Sequence, residues 1–213
     1  MMAVDKDICE LYLITPETIN DVTGFCRQLD DVLATEMVAC VQLRLKGADD
    51  ATFEETGLAL LPVCHKHGVP MLVNDRADIA VKINADGVHL GQEDGDVVSA
   101  RTLLGHDKDI GVTCHGSKQL AYDAGDAGAN YVAFGAFFPS KTKPEAKVAD
   151  KEILTHWDET TDIPCVAIGG ITPENCREVA DAGAHFVAIC SAVWEYCEGP
   201  KAAIQAFHKA LAD

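Results

Sequence analysis

Eight short apolar runs alternate with longer amphipathic segments along the 213 residues of the chain. The runs predict strands at 9–14, 39–44, 70–73, 87–90, 110–113, 131–135, 165–168 and 186–189. Helices are predicted between them, among others at 52–67, 97–104, 118–127, 173–182 and 200–212. Thr172 followed by Pro173 predicts the start of one helix, and Ser117 can cap another. Strands that alternate with helices in this way predict an α/β fold with a parallel sheet.

A similar turn precedes three of the predicted strands, at residues 84–88, 128–132 and 183–187. In each, a small helix-ending turn leads into a strand that is almost entirely apolar, as expected for a strand buried on both faces. Eight such strands with helical connections indicate a compact (β/α)8 TIM barrel that forms a single domain over residues 1–213. A doubly wound open sheet is the structural alternative.

The charge of the chain limits its partners. At pH 7 the formal net charge is −17, and a surface of this sign repels nucleic acid and anionic membranes. No apolar run approaches the roughly 20 residues that span a bilayer, and residues 1–7 lack the apolar core of a signal peptide. We therefore expect a cytoplasmic protein that binds neither nucleic acid nor membranes. The sequence leaves open whether the chain forms a homo-oligomer.

Two acidic residues follow neighbouring predicted strands. Asp75 comes just after the third strand, and Asp94 lies nineteen residues further on, just after the fourth. One strand–helix repeat separates them, so a parallel barrel places both carboxylates at the same end of adjacent strands. Hard oxygen ligands that converge there suggest Mg²⁺ bound together with a phosphorylated substrate. The alternative is helix capping, by Asp75 for a segment that begins at Arg76 and by Asp94 for the helix after Asp96.

Polar and cationic side chains end the second predicted strand. Side chains alternate along a strand, so Gln42, Arg44 and Lys46 are predicted to share one face. Cationic groups that point into a barrel are costly unless they meet a ligand, which favours binding of an anion. An ordinary strand end with solvated charges would give the same pattern.

The loop after the sixth predicted strand gathers cations in an otherwise acidic chain. Residues 134–143 combine a glycine- and proline-bearing turn with two hydroxyls and two lysines, namely Ser140, Lys141, Thr142 and Lys143. Hydroxyls and cations in such a loop suit phosphate oxygens. A flexible cationic surface loop is the alternative.

The ends of the fifth, seventh and eighth predicted strands add further candidates. Thr113 offers a hydroxyl. Its neighbours Cys114 and His115 are not predicted to form a nucleophile–base pair, because adjacent strand residues point to opposite faces. The glycine pair at 169–170 and the segment at 190–191 lie where barrels often hold a phosphate through backbone N–H groups. A tight strand-to-helix turn is the alternative for the glycine pair.

Five of these segments form motifs in a fixed order. They stand at residues 42–46 (Gln-Leu-Arg-Leu-Lys), 74–76 (Asn-Asp-Arg), 86–94 (Asp-Gly-Val-His-Leu-Gly-Gln-Glu-Asp), 134–143 (Phe-Gly-Ala-Phe-Phe-Pro-Ser-Lys-Thr-Lys) and 168–171 (Ile-Gly-Gly-Ile). Together they resemble the thiamine phosphate synthase family over nearly the whole chain. The family pattern has an acid where Leu45 stands, serine in place of Thr113 and threonine in place of Ser140, so both hydroxyls are kept.

The resemblance implies a reaction and the residues that carry it out. Hydroxymethylpyrimidine diphosphate would be joined to hydroxyethylthiazole phosphate with release of pyrophosphate, and Asp75 and Asp94 would hold Mg²⁺. The implied ligands of the pyrimidine diphosphate are Gln42, Arg44, Lys46, Asn74, Thr113 and Lys143, of which Arg44, Lys46, Thr113 and Lys143 act in catalysis. The implied ligands of the thiazole phosphate are Ser140, Thr142, Gly170, Cys190 and Ser191. Small phosphorylated substrates are therefore the expected partners.

Two other functions are the alternatives. A thiazole tautomerase shares the fold, but the resemblance implies a histidine just after the glycine of the sixth strand, where this chain has Ala136. The diphosphate-binding residues would also have no diphosphate to bind in a tautomerase. The second alternative is a non-catalytic regulator that binds a phosphorylated ligand, and the intact carboxylate pair argues against it.

Overall fold

The computed structural model describes residues 8–139 and 148–212. Eight parallel strands close into a barrel in chain order, and the first strand pairs with both the second and the eighth. The predicted (β/α)8 TIM barrel is therefore confirmed. The doubly wound alternative is wrong, because an open sheet has two edge strands, whereas here the first and last strands pair with each other.

The observed strands and helices follow the predicted pattern closely. The strands are β1 (Glu10–Ile14), β2 (Val38–Leu43), β3 (Met71–Asn74), β4 (Gly87–Leu90), β5 (Asp109–His115), β6 (Tyr131–Gly135), β7 (Cys165–Ile168) and β8 (Phe186–Ile189). The helices are α1 (Val22–Leu33), α2 (Asp50–Lys66), α3 (Ala77–Lys82), α4 (Val97–Leu104), α5 (Lys118–Asp126), α6 (Glu152–Thr160), α7 (Cys176–Ala180), α8 (Ser191–Trp194) and α9 (Pro200–Ala212). None of these described helices is long and apolar enough to cross a membrane.

Short oxygen-bearing side chains cap several of the helices. Ser117 accepts a hydrogen bond from the Leu120 amide at 3.3 Å, as predicted. Asp49 accepts from the Thr52 amide at 2.8 Å, so α2 begins at Asp50, two residues earlier than predicted. These bonds satisfy amides that the first helical turn leaves without an intrahelical partner.

The predicted start of the seventh helix is wrong. α7 covers only Cys176–Ala180, and the residues from Pro173 to Asn175 form a turn. The Asn175 side chain holds that turn, because it accepts from the Thr172 amide at 2.8 Å and donates to the Gly170 carbonyl at 3.1 Å. Thr172 therefore belongs to the loop after β7 and does not cap a helix at Pro173.

Alternation along the strands separates two apolar layers. Leu11 and Leu13 of β1 pack in the layer between strands and helices, whereas Tyr12 and Ile14 point into the barrel. The buried inner layer consists of Tyr12, Ile14, Cys40, Leu72, Tyr131, Ala133, Val166, Phe186 and Ala188. Since side chains fill the barrel, a substrate can bind only at the ends of the strands.

Candidate active site

The carboxyl ends of the strands gather the residues that the sequence analysis singled out. Gln42, Asn74 and Thr113 lie near the ends of β2, β3 and β5. The segments that follow their strands carry the other described candidates, namely Arg44, Lys46, Asp75, Asp94, Gly170, Cys190 and Ser191. The predicted phosphate ligands Ser140, Thr142 and Lys143 lie outside the described residues. Sites of TIM-barrel enzymes lie at this end of the barrel.

Asp75 and Asp94 meet beside Gly91. Asp75 has a left-handed backbone conformation (φ 64°), which non-glycine residues rarely adopt and which is often found at functional turns. Its carboxyl group lies close enough to that of Asp94 for the two groups to interact. A Cβ added to Gly91 would lie 2.3 Å from Asp94 Oδ2 and 3.9 Å from Asp75 Oδ1. The absence of a side chain at Gly91 therefore leaves room for the Asp94 carboxylate next to Asp75.

The contact between the two acids carries an electrostatic cost. Burial, together with the negative charge of Asp94, raises the pKa of the Asp75 carboxyl, and the charge of Arg44 opposes this only in part. A cation between the carboxylates would relieve their repulsion. In the described part of the chain, no group of three or more His, Cys, Asp or Glu side chains could hold a metal ion. Water and the oxygens of a bound substrate could complete the shell of a cation held by this pair.

Neither of the two acids caps a helix. α3 begins at Ala77, and Arg76 before it makes no side-chain cap bond. α4 is capped by Asp96, which accepts a hydrogen bond from the Ser99 amide at 2.8 Å. The capping alternative is therefore wrong for both carboxylates.

Arg44 and Lys46 lie beyond the end of β2, so alternation along the strand does not by itself place them. Both contact Glu17, which follows β1. Arg44 Nη1 donates to Glu17 Oε1 at 2.6 Å, and Lys46 Nζ lies 3.5 Å from the same oxygen. The loop after β1 thus brings a carboxylate to the two cations, a contact that sequence reasoning missed.

A chain of buried hydrogen bonds crosses the inside of the barrel next to the site. Gln42 Nε2 donates to Tyr12 Oη at 3.0 Å, and the hydroxyls of Tyr12 and Tyr131 lie 2.9 Å apart. His89 Nδ1 lies 2.8 Å from Tyr131 Oη, and His89 Nε2 lies 2.8 Å from Thr113 Oγ1. We call these five residues the polar chain. It holds Gln42 and Thr113, two predicted substrate ligands, from inside the barrel.

The polar chain carries no charge at neutral pH. Burial, with a smaller contribution from the charge of Arg44, lowers the pKa of His89 to about 4. Burial also raises the pKa of Tyr12 and of Tyr131 well above the ordinary value. A neutral imidazole has one N–H group and one acceptor nitrogen, so His89 donates to one of its neighbouring hydroxyls and accepts from the other.

Sequence reasoning missed Tyr12, His89 and Tyr131. Each is a polar side chain within a strand whose other residues are mostly apolar. Such an interruption was the available signal, because a buried polar group needs a partner. The sequence alone does not say that these three partners are one another.

Cys114 and His115 do not form a nucleophile–base pair, as predicted. Cys114 is fully buried, and burial raises the pKa of its thiol to about 12. His115, at the end of β5, is exposed. A thiol buried in this way stays protonated at neutral pH and is not a nucleophile.

Gly170 and Ser191 line a cavity of about 360 Å³ beyond the ends of β7 and β8. Gly170 has φ 64°, and an added Cβ would lie 2.4 Å from the Pro139 carbonyl oxygen, so this turn requires glycine. The Cys190 thiol donates to the Thr15 carbonyl at 3.4 Å, which leaves its backbone as the group for a ligand contact. Two of the predicted phosphate ligands therefore line the same cavity.

A second cavity, of about 390 Å³, opens at the other end of the barrel. It is lined by residues that precede β3, β4 and β5, including His65 and Asp86. His65 Nε2 lies 2.8 Å from Asp86 Oδ2, which also accepts from the Met71 amide at 2.8 Å. These bonds tie α2 to the amino ends of two strands, so they have a structural role.

The fold and the position of the polar residues define a (β/α)8-barrel enzyme with its site at the carboxyl ends of the strands. Residues 11–193 match the family described as thiamine monophosphate synthase. Because the match spans most of the chain, the chain belongs to this family. The family resemblance that the five motifs indicated is confirmed.

Relatives with the same name are similar over nearly the whole chain. Thiamine-phosphate synthase of Rhodospirillum centenum is 48% identical over 203 residues, which cover 95% of this chain and 98% of the relative. The enzyme of the same name from Erythrobacter litoralis is 45% identical over 215 residues and covers 99% of each chain. Among solved structures, thiamine phosphate pyrophosphorylase from Pyrococcus furiosus matches with a TM-score of 0.84 at 30% identity, covering 97% of both chains.

Proposed function

We propose that this chain joins hydroxymethylpyrimidine diphosphate to hydroxyethylthiazole phosphate, giving thiamine phosphate and pyrophosphate. The family and the two thiamine-phosphate synthases described above support this reaction. The observation that carries it is the meeting of Asp75 and Asp94 near Arg44, because a cation site beside a guanidinium suits a diphosphate. The chain is accordingly a transferase of thiamine biosynthesis.

Mg²⁺ is the cofactor that this site would take. Asp75 and Asp94 would hold it, since Mg²⁺ in such sites binds one or two carboxylates and completes its shell with water and substrate phosphates. Two observations support the fit, namely the raised pKa of Asp75 beside Asp94 and the space that Gly91 leaves for the Asp94 carboxylate. When bound, the ion would neutralise charge on the diphosphate and on the leaving pyrophosphate.

Replacing Gly91 by alanine should weaken Mg²⁺ binding without unfolding the barrel. The new Cβ would lie 2.3 Å from Asp94 Oδ2, and Asp94 is exposed, so its carboxylate can move away at little cost in stability. We expect the Mg²⁺ concentration for half-maximal activity to rise about tenfold. Gly116→Ala, whose new Cβ would meet nothing closer than 3.4 Å among the described residues, is the matched control. Equal Mg²⁺ requirements in the two variants would contradict the prediction.

The main catalytic task of the protein is to stabilise the departing pyrophosphate. The bond between the pyrimidine methylene carbon and a diphosphate oxygen breaks, and the oxygen keeps the electron pair. The thiazole nitrogen then supplies the pair for the new carbon–nitrogen bond. Arg44, Lys46, Thr113 and Lys143 would bind diphosphate oxygens, whose negative charge grows as the bond breaks, and so would bind the transition state more tightly than the ground state.

Little proton transfer is required, so positioning of the two substrates supplies much of the remaining rate enhancement. Gln42 and Asn74 would orient the pyrimidine diphosphate. Gln42 is 2% exposed and is fixed by the polar chain, and Asn74 Nδ2 donates to the Asp75 carboxylate. Thr113 is fixed in the same way by His89. These side chains would present their polar groups to the substrate in one geometry.

The thiazole phosphate would bind at the ends of β7 and β8. The cavity beside Gly170 and Ser191 supports this placement, and the backbone at Cys190 adjoins it. Ser140 and Thr142 would contribute hydroxyls from the loop after β6. Backbone N–H groups of glycine turns and helix starts are common phosphate ligands in TIM barrels.

The alternative functions have less support. A tautomerase of this fold is expected to have a histidine where this chain has Ala136, and the relatives described above are named synthases. A non-catalytic regulator that binds thiazole phosphate would not need the carboxylate pair. Thermal stabilisation by pyrophosphate that depends on Mg²⁺ would separate these cases, because a binder of thiazole phosphate alone should show none.

Purified protein supplied with Mg²⁺ and both substrates should form thiamine phosphate and pyrophosphate in equal amounts. Chromatography of the thiazole-containing product and a coupled pyrophosphate assay measure the two. Omitting either substrate, or adding a chelator, should abolish both signals. If no product forms at high enzyme concentration, the synthase assignment is wrong, and isomerisation of a thiazole phosphate under the same conditions would favour the tautomerase.

A further inference from the structure

Glu17 lies between the two cations that are proposed to bind the diphosphate. Its Oε1 atom accepts from Arg44 Nη1 at 2.6 Å and lies 3.5 Å from Lys46 Nζ. Arg44 is the more buried of the two cations, with a side chain 16% exposed, and the Glu17 side chain is 37% exposed. A single carboxylate oxygen therefore interacts with two positive charges.

The backbone of the loop after β1 holds Glu17 in this position. Thr15 N donates to the Gln42 carbonyl at 3.0 Å, and Arg44 N donates to Thr15 Oγ1 at 2.9 Å. Lys46 N donates to the Glu17 carbonyl at 3.0 Å. These three bonds fasten the loop to the end of β2 independently of the Glu17 carboxylate. The side chain can therefore rotate away from the cations while the loop stays in place.

The difference in charge between Glu17 and a diphosphate favours replacement of the carboxylate by the diphosphate at the two cations. One carboxylate facing two cations leaves them with an excess positive charge, whereas a diphosphate carries several charges and has an oxygen for each cation. The hydrogen bond from Arg44 lowers the pKa of Glu17, so its carboxylate is ionised at neutral pH. Glu17 is also partly exposed, so water can solvate it after it leaves the pair.

We propose that Glu17 is an internal competitor of the diphosphate for Arg44 and Lys46, and that it thereby limits how tightly the pyrimidine diphosphate and the product pyrophosphate are held. This role rests on the proposed function, in which the two cations bind the diphosphate. The competition makes release of pyrophosphate easier, since the Glu17 carboxylate binds Arg44 and Lys46 again as the product departs. Glu17 itself does not contact the reacting atoms in this scheme.

Glu17→Gln tests the competition, because glutamine keeps the size of the side chain and removes its charge. The probe is pyrophosphate with Mg²⁺, titrated into the protein by calorimetry, with steady-state kinetics measured in parallel. We expect Kd for pyrophosphate to fall roughly three- to fivefold, the size of effect of a partly exposed ion pair. KM for the pyrimidine diphosphate should fall by a similar factor, and kcat should not rise.

Glu55→Gln is the matched control, because Glu55 is exposed on α2 and its replacement changes the net charge by the same amount. Its Kd for pyrophosphate should equal that of the unmodified protein. If Glu17→Gln binds pyrophosphate no more tightly than the unmodified protein, the competitor role is wrong. Weaker binding would instead mean that Glu17 positions Arg44. If the unmodified protein neither binds pyrophosphate with Mg²⁺ nor forms thiamine phosphate, the proposed function itself fails and the role of Glu17 fails with it.

Discussion

Replacing Asp75 by asparagine should lower turnover at least about a hundredfold while the barrel stays folded. Asparagine has the shape of aspartate and keeps a side-chain oxygen that can accept the hydrogen bond from Asn74 Nδ2. It lacks the negative charge that a divalent cation requires beside Asp94. Steady-state kinetics at saturating concentrations of both substrates, with Mg²⁺ varied, would measure the loss.

The stability of the Asp75→Asn variant should change in the opposite direction from its activity. Burial and the negative charge of Asp94 both raise the pKa of Asp75, so the ionised carboxylate of Asp75 costs stability. Removing the charge of Asp75 removes this cost. In the presence of a chelator, the thermal midpoint of the variant should therefore equal or exceed that of the unmodified protein. Such opposite effects are typical of groups kept for function at a cost in stability.

Asp78→Asn is the matched control for this experiment. Asp78 lies three residues further on, is exposed, and has its Oδ2 atom 2.7 Å from Arg76 Nη2. Its replacement makes the same chemical change outside the carboxylate pair, so turnover should stay within about twofold of the original. Unchanged turnover in Asp75→Asn, or equal losses in both variants, would show that the metal assignment is wrong.

The fold follows from local patterns that the sequence displays directly. β4, β6, β7 and β8 have the predicted bounds, because each is an apolar run bounded by turn residues. The prediction failed at α7, where Thr172 and Pro173 match the start of a helix. The side chain of Asn175 binds the Thr172 amide and the Gly170 carbonyl and so keeps this segment in the loop. The preference of Thr172 and Pro173 for the start of a helix does not show which of several possible local hydrogen bonds forms.

The candidate site was predictable where it depends on chain order and not where it depends on contacts across the barrel. Asp75 and Asp94 follow adjacent strands, so the topology alone brings them together. Tyr12 and Tyr131 are 119 residues apart in the sequence, and their contact depends on how the barrel closes. The contact of Glu17 with Arg44 likewise depends on the path of a loop. The roles of all the site residues, the Mg²⁺ cofactor and the cytoplasmic location stay predictions.

Replacing His89 by leucine should destabilise the protein by about 3 kcal/mol at pH 7. Leucine fills much of the space of the imidazole but cannot bond to the hydroxyls of Tyr131 and Thr113, which now lie 2.8 Å from its two nitrogens. Tyr131 Oη keeps its contact with Tyr12 Oη at 2.9 Å, whereas His89 is the one partner of the Thr113 hydroxyl among the described residues. A buried hydroxyl left without a partner costs about 1–3 kcal/mol, and the hydrogen bond lost at Tyr131 adds about 1 kcal/mol. Urea denaturation of the variant and the unmodified protein would measure the difference.

The destabilisation should shrink as the pH falls. The pKa of His89 is about 4 in the folded protein against an ordinary value of 6.5, so the unfolded chain binds a proton first. The contribution of neutral His89 to stability is therefore complete above pH 6.5 and is lost as the pH falls from 6.5 towards 4. The full loss is about 3 kcal/mol, of which about 2 kcal/mol occurs by pH 5. The leucine variant has no such loss, so the difference in free energy of unfolding between the two proteins should fall to about 1 kcal/mol at pH 5.

His208→Leu provides the comparison, because His208 is an exposed histidine on α9. That variant should differ little in stability from the unmodified protein, because the replaced side chain is exposed. If the stability difference between His89→Leu and the unmodified protein is the same at pH 7 and pH 5, His89 takes up its proton over the same pH range in the folded and unfolded states. Burial would then not keep the imidazole neutral, and the polar chain would carry a charge into the barrel beside Arg44. A difference that narrows only for His89→Leu would instead tie the pH dependence of folding to the hydrogen bonds that hold Thr113.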